Sequence, residues 1–589
     1  MTEDPFAHLH IETYGDAYRE PRATWRDAVH TRGRPLTSLD GPWHVTPDLF
    51  DEGLRQRWFG NDDTPISQWA TPRDADLFEA DTITLPACWT MTRPEWRYFE
   101  GGMWFARRFE WDGAAPRLVL RLGAAAYEAR VFLNGHFVGS HRGASTPAFF
   151  ELAGKLRVGG NALLIHVDNQ RRADRVPMHH FDWFNHGGLY REIALVALPP
   201  VFIRTVHADL VAGGVQVAMT LSDQIEARAE VEITGLGRAH IEIVQGRGEA
   251  FIACTPILWS PASPHLYDVI ATCGDDCVTD RVGLRRIETH GDAILLNGKP
   301  LYIRGVCVHE DDPVRGRVMT DADIRQMLDD AKSLGCNMLR LAHYPHHERV
   351  AELADEMGLM LWEEIPVYWA IAFDNEDTFA DAENQLLELI ARDRNRASVI
   401  LWGVGNENAD TDARHAFMSR LAAAARAADF TRLIAAACLI NREHFRIEDR
   451  LIADLDVIGL NEYFGWYEPD MSGLRRLLEN SRPGKPVVIS ETGADGLPGL
   501  HGGERQLFTE ECQAAIYREQ ITIVSEAPYV RGFIPWLLYD YRTERRQTRC
   551  QQGISRKGLI ADDKRTHKLA FHTLAAWYWS ISQPLTDDR

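Results

Sequence analysis

TDADIRQMLDDAKSLGCNMLRLAH, residues 320–343, carries a complete helix followed by a buried strand in its pattern. Thr320 can cap a helix and Asp323 can close its capping box, because a hydroxyl and a carboxylate three residues apart each satisfy the other's orphan backbone N–H. Ile324, Met327, Leu328, Ala331 and Leu334 then fall on one helical face, and Gly335 ends the helix. NMLRLAH follows as a short apolar strand. The same alternation extends outward on both sides. LYIRGVC, NMLRLAH, GLMLWEE, VILWGVGNE, RLIAAACL, DVIGLNEY, PVVISE and VRGFIPW are eight strand candidates within residues 301–536, with helical segments between them. Eight buried strands interleaved with helices predict a (β/α)8 TIM barrel. An open doubly wound sheet would instead carry a glycine-rich phosphate loop after its first strand, and neither GxGxxG nor GxxxxGK[ST] occurs here.

Upstream the pattern changes. The first 200 residues hold short apolar runs broken by turns, and Asn134-Gly135 within RVFLNGHFVGS is a strong hairpin signal. Trp25, Trp43, Trp58, Trp69, Trp89, Trp96, Trp104 and Trp111 lie in this region, most of them suited to filling a β-sandwich core. From Val201 to Ile287, segments such as VQVAMTL and AEVEITG alternate with period two and lack helical spacing, which predicts a second, immunoglobulin-like sandwich. A further hairpin, AILLNGKPLYIRG with Asn297-Gly298 at its tip, opens the last region. The expected domains are 1–200, 201–288 and 289–589.

Composition narrows the function classes. The chain has 589 residues, 64 basic against 85 acidic, and a formal net charge of -21, which disfavours nucleic acid and anionic membranes as partners. The N-terminus lacks a basic start followed by an apolar core, and no run approaches the roughly 18 apolar residues of a membrane span, so a cytoplasmic enzyme is expected. Nine cysteines without framework spacing are expected to be free thiols.

TIM barrels place their active sites at the C-terminal ends of the strands. Here strand four ends in Asn406-Glu407, strand six in Asn461-Glu462-Tyr463, strand seven in Glu491 and strand eight in Trp536. Glutamates closing strands four and seven would face each other across the mouth. Such a pair suits glycosidic cleavage, since one carboxyl protonates the leaving oxygen while the other meets positive charge at the anomeric carbon. Glu363-Glu364 read as supporting carboxylates, and Glu462 should point away from Tyr463 by strand alternation. HYPHHE offers His343, His346 and His347, but HExxH and zinc-spaced cysteines are absent, so no metal or other cofactor is expected.

The stretches NGKPLYIRGVCVHED, LRLAHYP, LWGVGNE, LNEYFGWY, VVISETGADGLPGLH and FIPWLLYDYR resemble, in this order, the catalytic region of family 2 glycoside hydrolases. PACW, FARRFEW, VFLNGHFVG and FDWFNHGGLYR resemble the same family's sugar-binding jelly-roll domain, and the resemblance is strongest to its β-glucuronidase branch. It implies a retaining exo-β-glycosidase with Glu407 as general acid/base and Glu491 as nucleophile. It also implies that Asn406 holds the sugar 2-hydroxyl and that Arg340 and Tyr463 support the nucleophile. Asp182, His343, Tyr463, Tyr467 and Trp536 are implied as substrate-binding residues, and His309, Glu310 and Asp311 stand at the end of strand one near the same pocket. A homo-oligomer would be consistent with the family.

The sugar depends on YDYRTERRQTRCQQGISRKGLIADDKR, which concentrates Arg542, Arg545, Arg546, Arg549, Arg556 and Lys557 in an acidic chain. One reading is a loop of surface ion pairs, each worth little. The other is a carboxylate clamp for the C6 end of a uronic acid. The resemblance brings an Asn-x-Lys motif to this place, and the chain has Ser555-Arg556-Lys557 instead, keeping the lysine and losing the amide. The expected substrates are therefore terminal β-glucuronides, then β-galacturonides, then β-galactosides. A carbohydrate-binding protein without turnover is the alternative of another class.

Overall fold

A computed structural model describes residues 18–60 and 75–582; Trp69 and most of the N-terminal segment lie outside them. Eight strands close a parallel barrel in chain order: β1 (Ile303–Val308), β2 (Met338–Leu341), β3 (Met360–Glu364), β4 (Val399–Asn406), β5 (Leu433–Cys438), β6 (Val457–Asn461), β7 (Val487–Glu491) and β8 (Val530–Phe533). Around them run α1 (Asp321–Ser333), α2 (Glu348–Met357), α3 (Glu376–Asp393), α4 (Asp412–Ala428), α5 (Ser472–Asn480), α6 (Glu510–Ser525) and α7 (Leu569–Ser582). Helix α1 forms as its sequence predicts: Thr320 and Asp323 make the reciprocal capping box, and Ile324, Met327, Leu328 and Ala331 are buried. One connection departs from the strand–helix rule. Between β5 and β6 the chain makes only a short 3-10 turn, Arg450–Ala453.

Alternation along the strands separates two cores. Leu339, Leu341, Leu361, Trp402, Ile434, Ile458 and Leu460 face the helices, whereas Met338, Met360, Trp362, Leu401, Leu433, Ala435 and Val457 fill the barrel interior. Polar groups near the mouth are therefore best held by one another, since the interior below them is lined by apolar side chains.

The N-terminal region is a sandwich of a six-stranded and a four-stranded antiparallel sheet. Trp43, Trp89 and Trp104 are fully buried in it, while Trp25 and Trp111 are only half-buried. A three-stranded and a four-stranded sheet between Ile203 and Val282 make the second sandwich. Both hairpin signals hold, with Asn134-Gly135 and Asn297-Gly298 at positive φ (51° and 81°, 53° and 75°). Asn and Gly tolerate this conformation, and it matches the twist of the flanking strands.

Candidate active site

Arg340 organises the barrel mouth. It points inward from β2, is wholly buried, and spreads its guanidinium over Glu491, Asn406, Glu364 and the Ser490 carbonyl. Nη1 donates to Oε1 of Glu491 at 2.8 Å, Nη2 to Oδ1 of Asn406 at 2.7 Å, and Nε and Nη2 grip Glu364 at 3.0 Å each. Glu364 needs room inside β3, which Gly403 provides: a Cβ there would lie 2.5 Å from the Cβ of Glu364 and from Nε1 of Trp362. The other oxygen of Glu491 accepts from the Tyr463 hydroxyl at 2.8 Å. Both oxygens of this carboxylate are thus held by donors, one of them a permanent cation.

Glu407 sits half-buried one residue past β4, at φ 53°. A non-glycine residue in this region is strained, and such strain concentrates at functional sites. Its Oε2 accepts from Nε1 of Trp369 at 2.7 Å, and its Oε1 from Nδ2 of Asn461 at 3.1 Å. Burial first, and then the charge of Glu491, push its carboxyl above the ordinary glutamate range, although the two hydrogen bonds pull the other way. Two carboxyls with such unlike surroundings can take unlike roles, and Glu407 is the one suited to carry a proton. Between them Asn406 has a buried side-chain N–H2 group with no partner, a donor that a sugar hydroxyl can satisfy.

His343 donates through Nδ1–H to Oε1 of Glu364 at 2.7 Å, and its ring stacks on Trp536 with centroids 4.9 Å apart. Trp536 lies beyond the end of β8, buried between His343 and His309. From the N-terminal sandwich, Trp183 packs its ring 5.9 Å from His343 and 5.0 Å from Tyr368. Asp182 beside it accepts from Thr543 Oγ1 at 2.9 Å and is ion-paired with Arg546. The loop after β8 is therefore tied to the N-terminal domain directly over the mouth.

Lys557 is buried, donates to the Tyr467 hydroxyl at 2.9 Å and to Asp495 at 2.7 Å, and lies among the rings of Tyr463, Trp466 and Tyr467. Ser555 is buried next to it, its strand paired with Tyr541. Arg556 departs from the expectation. Its guanidinium pairs with Asp562 at 2.7 Å and Asp540 at 3.3 Å. Glu310 and Asp311 are likewise engaged, Glu310 by Arg191 and Arg317, Asp311 by Arg542. His309 remains against Trp536 and Tyr541.

Glu462 turns away from Glu491 and accepts the backbone N–H of Phe464 at 3.0 Å; burial pushes it up to about 7. His346 and His347 are spent on Ala342 O and Glu192. Trp369, Arg546, Trp183 and Asp495 were not singled out by sequence reasoning. Arg546 was visible only as one of six cations, and Trp369 only as a tryptophan shortly after a barrel strand.

This geometry agrees with two family models: "Glycosyl hydrolases family 2, TIM barrel domain" matches residues 287–583 and "Glycosyl hydrolases family 2, sugar binding domain" matches residues 36–199. The chain belongs to glycosyl hydrolase family 2. As a family 2 enzyme it is a glycosidase, and its curated relatives include a β-glucuronidase from Paenibacillus borealis, 26% identical over 93% of this chain and 97% of that protein. A β-glucuronidase from Mus musculus is 27% identical over 93% of this chain and 91% of that one. Among solved structures, an uncultured Clostridium sp. β-glucuronidase superposes with a TM-score of 0.82 at 25% identity, covering 93% and 98% of the two chains. A family 2 β-galacturonidase from Eisenbergiella tayi bound to glycerol gives the same TM-score and identity, covering 95% and 99%. Among the described residues of this family 2 chain, no helix is long and apolar enough to cross a membrane.

Proposed function

We propose that this chain is a retaining exo-β-uronidase that removes terminal β-glucuronides by double displacement. The observation that carries the proposal is the unequal treatment of two carboxyls at one mouth: Glu491 is held on both oxygens by Arg340 and Tyr463, and Glu407 is pushed toward its protonated form. Glu407 protonates the glycosidic oxygen as Glu491 attacks the anomeric carbon, and the C–O bond to the leaving group breaks. Esterified Glu491 then carries no charge, so one of the two causes that raise Glu407 disappears. Glu407 becomes the base that takes a proton from water, whose oxygen displaces Glu491. Asn406 offers its unpartnered N–H2 to the 2-hydroxyl, where a hydrogen bond strengthens as positive charge develops.

Uronide selectivity rests on Lys557 and Arg546. Each already faces an aspartate, so the pocket presents cations without net excess charge, and a C6 carboxylate would share Lys557 with Asp495. A β-galacturonide is the second reading, favoured by the equal similarity to a galacturonidase structure and by Ser555 in place of the amide.

Turnover of matched nitrophenyl β-glucuronide, β-galacturonide and β-galactoside tests the sugar. Preference for the neutral galactoside refutes the uronidase reading. Mass spectrometry after a 2-fluoro uronide inactivator tests the chemistry: the adduct belongs on Glu491, and its appearance elsewhere refutes the assignment.

A further inference from the structure

Two adjacent arginines after β8 face different ways. Arg546 is turned in to Asp182, whereas Arg545 is exposed and lays its guanidinium 4.7 Å from the ring centre of Trp369. Trp369 is the residue that hydrogen-bonds Glu407. No carboxylate among the described residues pairs with Arg545: its neighbour Glu544 is taken by Arg171 at 2.6 Å. The segment is nonetheless pinned on both sides, through Thr543 to Asp182 at 2.9 Å and through Arg546 to the same aspartate. The backbone N–H of Arg545 also donates to Thr543 Oγ1 at 3.3 Å. An unpaired cation is therefore presented on a fixed loop, over the ring that touches the proposed proton donor.

The group that Glu407 protonates is the leaving-group oxygen, so whatever bears that oxygen must lie next to Trp369. From this we infer that Trp369 and Arg545 form a leaving-group subsite that takes aglycones carrying a carboxylate, the ring supplying a stacking face and the guanidinium a counter-charge. The inference rests on the role proposed for Glu407. It adds that specificity is set at both ends of the scissile bond, with a cation for each end.

The test compares a 3-carboxy-4-nitrophenyl β-uronide with the plain 4-nitrophenyl β-uronide, using whichever uronide the enzyme cleaves. The reading is the ratio of kcat/KM for the two, in wild type, Arg545→Ala and Arg545→Glu. Taking the ratio within each variant cancels general losses and leaving-group reactivity. An exposed charge pair predicts that the ratio drops by about three- to tenfold in Arg545→Ala and further in Arg545→Glu, and that the wild-type ratio contracts in high salt. A uronide linked to a uronic acid, against the same uronide linked to a neutral hexose, forms the second arm. A response in either arm supports the subsite, and the arm that responds identifies an aromatic acid or an acidic sugar as the source of the carboxylate. Ratios that ignore the charge at position 545 in both arms overturn it while leaving the glycosidase reading intact. Failure to cleave any glycoside overturns the reading on which it rests.

Discussion

Replacing Trp369 with phenylalanine isolates one hydrogen bond to one carboxyl. The indole N–H donates to Oε2 of Glu407 at 2.7 Å, and phenylalanine keeps an aromatic ring beneath Arg545 while removing the donor. A hydrogen bond to a charged acceptor contributes about 1.5–3 kcal/mol, against about 0.5–1.5 kcal/mol for a neutral one, so the ionised form of Glu407 loses about 1 kcal/mol more than the protonated form. At about 1.4 kcal/mol per pKa unit, the carboxyl rises by somewhat under one unit, less what water at the vacated oxygen restores. The direction follows from chemistry: as the proposed acid, Glu407 must be protonated in the free enzyme, so its ionisation would set the alkaline limb of kcat/KM. In Trp369→Phe that limb should move to higher pH while the acid limb stays in place. The assay is the pH profile of kcat/KM for a nitrophenyl uronide in both proteins. An alkaline limb that is unmoved or moves to lower pH refutes the assignment of Glu407 as the acid, of Trp369 as its donor, or of both.

Tyr463→Phe removes one of the two donors on Glu491 and should lower kcat/KM by about 10- to 100-fold with an unchanged melting temperature; parallel loss of stability would mark the tyrosine as structural. Glu407→Gln should lose about 10²- to 10⁴-fold on an alkyl glycoside but much less in glycosylation by a dinitrophenyl one, which leaves without a proton; equal losses count against general acid catalysis. Lys557→Met strands the buried Asp495 and should destabilise the protein by roughly 3–5 kcal/mol. Adding Asp495→Asn should restore the unfolding midpoint without restoring uronide turnover, and recovery of both would remove Lys557 from recognition. Glu462, raised by burial to about 7, holds a proton in the folded state that it gives up when unfolded. Wild-type stability should then fall as pH rises from about 4.3, the unfolded value, toward 7, by at most roughly 3 kcal/mol from this group. Glu462→Gln should flatten that portion of the urea-midpoint profile; identical profiles would refute it.

Periodicity and turn chemistry were enough to read the eight barrel strands, the capping box at Thr320 and the hairpins at Asn134-Gly135 and Asn297-Gly298, because each is a local pattern with a local physical cause. Sequence also placed Glu407 and Glu491 at strand ends. That they meet across the mouth was an expectation from barrel architecture, since strand alternation alone would not aim both inward. Alternation inward from Val488 would turn Glu491 outward, and what re-aims it is a register irregularity where Asn461 pairs with Glu491 across β6 and β7. A second irregularity precedes Asn406 in β4. Bulges of this kind arise from pairing between strands, and no single strand encodes them. The fate of the basic segment was equally hidden. Six cations in one segment look alike until their partners are known: Asp182 from the N-terminal sandwich for Arg546, Asp495 after β7 for Lys557, and the nearby Asp540 and Asp562 for Arg556. Residue types and spacings determined which chemistry was available, whereas contacts formed only in the folded chain, from a few to hundreds of positions apart, decided which side chains face the mouth and which are already neutralised.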